Sequence, residues 1–258
     1  MSYQTIINHI LEWLINYCNE SKTNGFIVGI SGGIDSALTS KLCALTGKPT
    51  HVIELPLRQR KEELFRSQNH IQALKNECEN VTSSRIDLTE LFELFEKTIP
   101  SNVSENLLSM ANSRSRLRMT TLYAIAQNEN KLVVGTGNKI EDFGVGFFTK
   151  YGDGGVDISP IADLTKTQVK QLSKYLNINS EILHAAPTDG LWDEERNDEN
   201  QLGASYEELE WAMENYLKND IASLSKRQKE VINIYKKFNT QNKHKMLPIP
   251  VCILPKMN

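Results

Sequence analysis

Phe26-Ile-Val-Gly-Ile-Ser-Gly-Gly-Ile-Asp-Ser36 begins as an apolar run and ends in a turn that carries two hydroxyls and a carboxylate. The run reads as a buried strand, and Asp35-Ser-Ala-Leu-Thr-Ser-Lys-Leu-Cys-Ala-Leu45 reads as the helix that follows it. Gly32 and Gly33 lack a Cβ, so the backbone there can take positive φ and aim successive N–H groups at one anion. The first turn of the helix adds unpaired N–H donors and the positive end of its dipole at the same point. Ser31 and Ser36 add hydroxyl donors, and the whole turn suits phosphate. Asp35 would repel a polyanion unless a divalent cation lay between them, and is therefore read as a Mg²⁺ ligand. No lysine follows the glycines as a Walker A loop requires, and the Gly-x-Gly-x-x-Gly dinucleotide spacing is missing. An ordinary strand-to-helix turn capped by Asp35 satisfies the same string, so the motif alone does not separate the two.

Outward from this turn, apolar runs and helical patterns alternate. Residues 2–20 repeat at helical spacing, His51-Val-Ile-Glu-Leu-Pro56 is a second strand, and a helix over 60–78 leads to a short strand near 82–87. A helix follows from Leu88, then a long one over Asn102–Asn128, then the strand Lys131-Leu-Val-Val-Gly135. The alternation predicts an α/β fold: a doubly wound, mostly parallel sheet with helices on both faces and ligands at the carboxyl ends of its strands. Ser31 and Thr136 both fall at such ends. After Val156 the pattern turns helical, with helices expected over 166–176, 179–184, 205–218 and 223–238.

At 258 residues and 40% hydrophobic content the chain can bury a sizeable core, and its net charge of −3 gives no broad field for nucleic acid. No run of about 18 apolar residues points to a membrane, and the N-terminus lacks a secretory pattern, so a cytoplasmic protein is expected. The four cysteines are scattered, with no Cys-x-x-Cys pair, and read as buried reduced thiols.

The second half adds chemistry. Gly135-Thr-Gly-Asn-Lys-Ile-Glu-Asp142 offers backbone access, the Thr136 hydroxyl, and in Glu141 a second hard-oxygen ligand that can share a metal with Asp35. Tyr151-Gly-Asp-Gly-Gly155 is too rich in glycine for a regular element, and reads as a loop bringing Lys150 and Asp153 to a site, or as a tight bend. Lys166 stands at a helix start, where a cation works against the dipole and a phosphate partner would explain it. Leu191 to Asn200 holds five carboxylates with little periodicity and reads as a solvated loop. His244-Lys245 lies in a polar stretch that reads as an exposed basic turn.

Ser31-Gly-Gly-Ile-Asp-Ser36 resembles the pyrophosphate-binding signature of the N-type ATP pyrophosphatases, which cleave ATP between its α and β phosphates. Together with Phe148-Thr-Lys-Tyr-Gly-Asp-Gly-Gly155, Arg116-Leu-Arg-Met119, Ala186-Pro-Thr-Asp189 and His244-Lys245, the chain resembles the NAD synthetases of ammonia-dependent type over its whole length. The resemblance implies an adenine-nucleotide α-hydrolase-like fold in a single domain over 1–258, without an N-terminal amidase domain and with a lid over about 187–204. It implies that ATP is a co-substrate contacted by Gly29, Ile30, Ser31, Gly32, Gly33, Ile34, Asp35, Ser36, Thr136, Lys166 and Thr188. It gives Mg²⁺ to Asp35 and Glu141, deamido-NAD to Arg116, Lys150, Asp157, His244 and Lys245, and ammonium and its proton to Asp153, with Lys166 also catalytic. It further implies a homodimer with substrate at the subunit interface and no nucleic-acid or membrane partner. Family members commonly have Asp-His-Ala-Ala-Glu where this chain has Gly137-Asn-Lys-Ile-Glu141. The alternative is a tRNA-modifying ATP pyrophosphatase, which would need a basic surface that this composition does not supply.

Overall fold

The computed structural model describes residues 2–185, 191, 198–217 and 224–254. Its centre is a four-stranded parallel sheet built from β1 (Phe26–Gly29), β2 (Thr50–Glu54), β3 (Val81–Arg85) and β4 (Leu132–Val133), in the order β3-β2-β1-β4. Phe26 pairs with Thr50 on one side and with Leu132 on the other. The chain therefore winds outward from β1 through β2 to β3, then returns to the opposite side of β1. A crevice opens where the winding reverses, beyond the carboxyl ends of β1 and β4.

Alternation along β1 divides the core. Phe26 and Val28 face a cluster with Leu14 of α1 (Tyr3–Glu20), Leu38 of α2 (Ile34–Leu45) and Val169 of α7 (Lys166–Tyr175). Ile27 faces the other way, with Phe92 of α4 (Thr89–Thr98) and with Met110 and Ala126 of α6 (Leu107–Glu129). Both faces of the sheet are thus covered, as a parallel sheet requires. Helix α3 (Lys61–Glu77) packs on α2, where Ser40 Oγ and His70 Nε2 lie 2.8 Å apart with both residues buried.

A third cluster lies in the C-terminal half, where Tyr206 and Leu209 of α10 (Tyr206–Asn215) pack with Val231 and Tyr235 of α11 (Lys226–Met246) and with Ile140. Ile140 belongs to a π-helix, Lys139–Val145, begun by the side chain of Asn138 and ended by Gly146 in the left-handed region at φ 64°. The same Asn138 carbonyl accepts from the N–H groups of both Ile140 and Glu141.

Three elements differ from the sequence reading. The long helix expected from Asn102 is two helices, α5 (Ser101–Ser104) and α6, because the Asn106 side chain caps a fresh start at Ser109 N. The last helix runs to Met246, so His244 and Lys245 sit on its final turn instead of in a loop. Its Asn239 and Asn242 amides donate to the carbonyls of Gly144 and Val145, at 2.8 Å each, and dock the helix on the end of the π-helix. The acidic segment is helical at its far end, α9 (Asp198–Leu202), where Asp198 and Leu202 are buried; most of the expected lid lies outside the described residues. Short α8 (Ser180–Leu183) precedes it. Cys18 and Cys43 are buried as expected, whereas Cys252 is exposed. Among the described residues no helix is long and apolar enough to cross a membrane.

Candidate active site

The crevice beyond β1 and β4 is a cavity of about 580 Å³. It is lined by Gly29, Ile30, Ser31, Gly33, Ile34, Asp35 and Ser36 from the loop after β1, and by Thr136, Glu141, Asp153 and Lys166 from the second half of the chain. Strand order explains the meeting: β1 and β4 are neighbours, so the loops leaving their ends face each other. Within the first loop Ser36 Oγ bridges Ser31 Oγ at 3.1 Å and the Gly33 carbonyl at 3.0 Å. Gly32 has φ 84°, and a Cβ there would lie 2.5 Å from the Glu63 carbonyl oxygen, so only glycine lets α3 approach this closely.

Below the loop, Lys166 Nζ donates to Asp35 Oδ2 at 2.5 Å and to Glu141 Oε1 at 3.0 Å. The carboxylates expected to share a metal thus share an ammonium. Lys166 does stand at a helix start, and within the protein these two acids balance its charge. Burial pushes the Asp35 carboxyl above its ordinary range, aided by Glu141 and opposed by Lys166. Against its own burial, Glu141 is held below its ordinary range by the Lys166 ammonium and by the Tyr206 hydroxyl, which donates at 2.6 Å. Lys166 is buried too, yet the two acids hold its pKa above the usual lysine value.

Asn138 ties this cluster together. It is fully buried, its amide donates to Asp35 Oδ1 at 3.1 Å, and its carbonyl starts the helix that presents Glu141. Neither Asn138 nor Tyr206 carries a motif, and only the fold brings them to the site. Two hard-oxygen groups converging on one cation are a donor set that fits Mg²⁺. Among the described residues no third acid, histidine or cysteine joins them, so water and substrate oxygens would complete a shell.

Asp153 faces the cavity from the glycine-rich turn. Its Oδ1 accepts from Ser115 Oγ at 2.7 Å and from Thr149 N at 2.9 Å, which fixes the carboxylate. The side chain stays open to the cavity, while the surrounding protein strips bulk water from it and pushes its pKa up despite those bonds. Asp142 also lines the cavity, and its carboxylate fills the space a Cβ on Gly137 would take. Burial, then the charges of Glu141, Asp153 and Asp35, drive its pKa well up.

The residues expected for the second substrate form a separate group. Arg116 donates to the Lys150 carbonyl, Lys150 Nζ to the His244 carbonyl at 2.8 Å, and Lys245 Nζ to the Phe148 carbonyl at 2.7 Å. None of these four lines the cavity, although Phe147, Gly152 and Asp153 of the intervening turn do. Asp157 has two partners of its own, accepting from Tyr123 Oη at 3.0 Å and from Val133 N at 2.8 Å. Thr188 lies outside the described residues.

Fold and site together place the chain among doubly wound α/β proteins built to hold a nucleotide's phosphates over a helix N-terminus. Within that class it belongs to the NAD synthase family, whose model matches residues 6–248 and whose members are ligases that form a carbon–nitrogen bond. An NH3-dependent NAD+ synthetase of Alkaliphilus metalliredigens is 41% identical over 79% of this chain and 83% of its own. The enzyme of that name from Mycoplasma genitalium is 36% identical over 92% of each. Among solved structures, the NMN synthetase of Francisella tularensis covers 100% of both chains with a TM-score of 0.83 and 32% identity. The NH3-dependent NAD synthetase of Campylobacter jejuni covers 98% of this chain and 100% of its own with a TM-score of 0.79 and 26% identity.

Proposed function

We propose that this protein amidates deamido-NAD to NAD with ammonia, at the expense of ATP, which leaves as AMP and pyrophosphate. The observation that carries the reading is the match to NAD synthase along residues 6–248, in a chain whose phosphate loop and Asp153 open on one cavity. The same match favours it over the tRNA-modifying alternative.

The nicotinate carboxylate attacks the α-phosphorus of ATP, its new P–O bond replacing the bond to the β-phosphate, and pyrophosphate leaves. Backbone N–H groups of Gly32 and Gly33, with the hydroxyls of Ser31 and Ser36, hold the β and γ phosphates at the N-terminus of α2. Lys166 offsets charge on the α-phosphate during transfer. Asp35 and Glu141 would hold Mg²⁺, which would neutralise the departing pyrophosphate. Ammonia then attacks the acyl carbon and AMP departs, a far better leaving group than the free carboxylate's oxygen. Ammonium has no lone pair to attack with, so Asp153 first binds the cation and takes its proton. Its raised pKa suits that transfer, and its bonds to Ser115 and Thr149 hold the accepting group still.

Arg116, Lys150, His244 and Lys245 would contact the dinucleotide outside the cavity, across the interface of a homodimer. The N-terminal helix, with Trp13 and Tyr17 exposed, is one candidate contact. A larger apolar face lies on the packed helices α4 to α6, where Leu91, Leu94, Leu107 and Leu108 are all exposed. The protein is read as one domain with a lid over about 187–204, fed with free ammonia.

The likeness to the Francisella NMN synthetase favours a second reading of the acid, in which nicotinate mononucleotide takes the place of the dinucleotide. Purified protein with ATP and Mg²⁺ is offered each acid in turn, with ammonium or with glutamine, and amide and AMP are followed. NAD from deamido-NAD and ammonium is expected; NMN formed in preference would move the assignment to the mononucleotide. No amide from either acid would refute the reaction.

A further inference from the structure

Pyrophosphate is a dense anion, and the loop that would hold it sits above two carboxylates and one ammonium, Asp35, Glu141 and Lys166. That cluster is negative by one charge when all three are ionised, and its only ammonium is held between the acids. A cationic side chain at the loop itself would offset the anion's charge from the protein side. Arg66, Arg118, Lys166 and Lys170 line the cavity. Arg118 gives its Nε to the Leu55 carbonyl at the end of β2, and Lys170 is exposed one turn beyond Lys166. Arg66 reaches the backbone of the phosphate loop: its Nε donates to the Gly32 carbonyl at 3.2 Å.

The anchoring leaves the rest of the guanidinium free. Arg66 is half-buried on α3, and among the described residues it makes no ion pair and no hydrogen bond besides the one to Gly32. An arginine in such a place is unusual, because a guanidinium partly withdrawn from water normally finds a carboxylate. Its fork of N–H donors matches two phosphate oxygens at once, and it is held beside the backbone donors of Gly32 and Gly33 by the close approach of α3 to the loop. We propose that Arg66 is a binding residue for the terminal phosphates of ATP, and that it holds pyrophosphate on the loop until the second step.

This rests on reading the loop as the site of ATP's phosphates, so the decisive measurement is made on inorganic pyrophosphate with Mg²⁺ and no acid substrate. Calorimetry on the full-length protein compares the parent with Arg66→Gln, which keeps an N–H donor for Gly32 but loses the charge, and with Arg66→Lys. Pyrophosphate affinity is expected to fall at least about tenfold in the Gln variant and to recover in part with Lys. In turnover the KM for ATP should rise with it, while the KM for the acid and the melting temperature stay at the parent's values. Parent-like pyrophosphate affinity in folded Arg66→Gln overturns the inference. An Arg66-dependent affinity in a protein that amidates neither acid keeps the inference and rejects the proposed reaction.

Discussion

Replacing Asn138 by alanine removes one buried amide that serves two masters. Its carbonyl caps the π-helix by accepting from Ile140 N and Glu141 N, at 3.1 Å each, and its N–H group donates to the Asp35 carboxylate at the same distance. Losing a side-chain cap costs about 1 kcal/mol, and losing a hydrogen bond to an ionised group costs about 2 kcal/mol. The residue is fully buried, so no bulk water replaces either bond. Together they predict a loss of about 3 kcal/mol, somewhat less if the two ends relax as a unit. Asp35 and Glu141 would also drift apart, and misplacement by about 1 Å at a reacting centre lowers turnover on the order of a hundredfold. Urea denaturation at constant slope measures the first effect and initial rates at saturating substrate the second. Asn138→Asp separates the causes, since it keeps the cap acceptor but sets a carboxylate against Asp35. A stability loss under about 1 kcal/mol with turnover within about twofold of the parent would show that Asn138 holds neither group, and the account of the cluster would fail.

Other consequences are as direct. Asp153→Asn should leave pyrophosphate release measurable while suppressing amide formation, because the amide cannot accept a proton from ammonium; equal loss of both steps in a pyrophosphate assay would refute that division. Gly32→Ala should weaken ATP binding and stability together, since the new methyl would sit 2.5 Å from the Glu63 carbonyl oxygen at a φ of 84°. A parent-like melting temperature and KM would count against that close approach. Burial, with Lys41 nearby, pushes the His70 imidazole down to about 4 from its ordinary 6.5, so the folded protein holds it neutral. The unfolded chain then binds more protons between those values, and stability should fall as pH drops from about 6.5 toward 4, by up to about 3 kcal/mol from this group. Urea midpoints for the parent and for His70→Gln across that range should differ in slope; identical slopes would exclude His70 as the cause.

The half of the site that follows β1 was legible because its signals are local. Two glycines, a hydroxyl at each end and an apolar run before them stand within eleven residues, Phe26 to Ser36. The other half depended on the fold. Asn138 meets Asp35 across 103 positions and Tyr206 meets Glu141 across 65, and no periodicity announces such pairs. The π-helix escaped because seven residues, Lys139–Val145, are too few for a pattern, and its wide turn is set by the caps at Asn138 and Gly146. The sequence reading ends α11 too early because Asn239 to Lys245 is polar throughout; what holds it helical is the docking of Asn239 and Asn242 on backbone carbonyls far away in sequence. Lys166 stands out in the sequence as a cation at a helix start, but only the fold shows that both acids lie beneath it.

The order of strands also sets a timetable for the site. Residues Phe26 to Arg85 supply three strands paired with near neighbours in sequence, and they can condense as soon as they are made. Strand β4 reaches β1 through only two paired positions, and Lys166 meets Asp35 across 131 residues. Closing loops of that length is the slow part of building a parallel sheet. During synthesis on the ribosome, the residues of the phosphate loop are therefore made well before those of its opposing wall. Until α7 arrives, Asp35 is an acid at a helix start with no ammonium to balance it. The nascent chain becomes competent for its chemistry only when the last long-range contact falls into place.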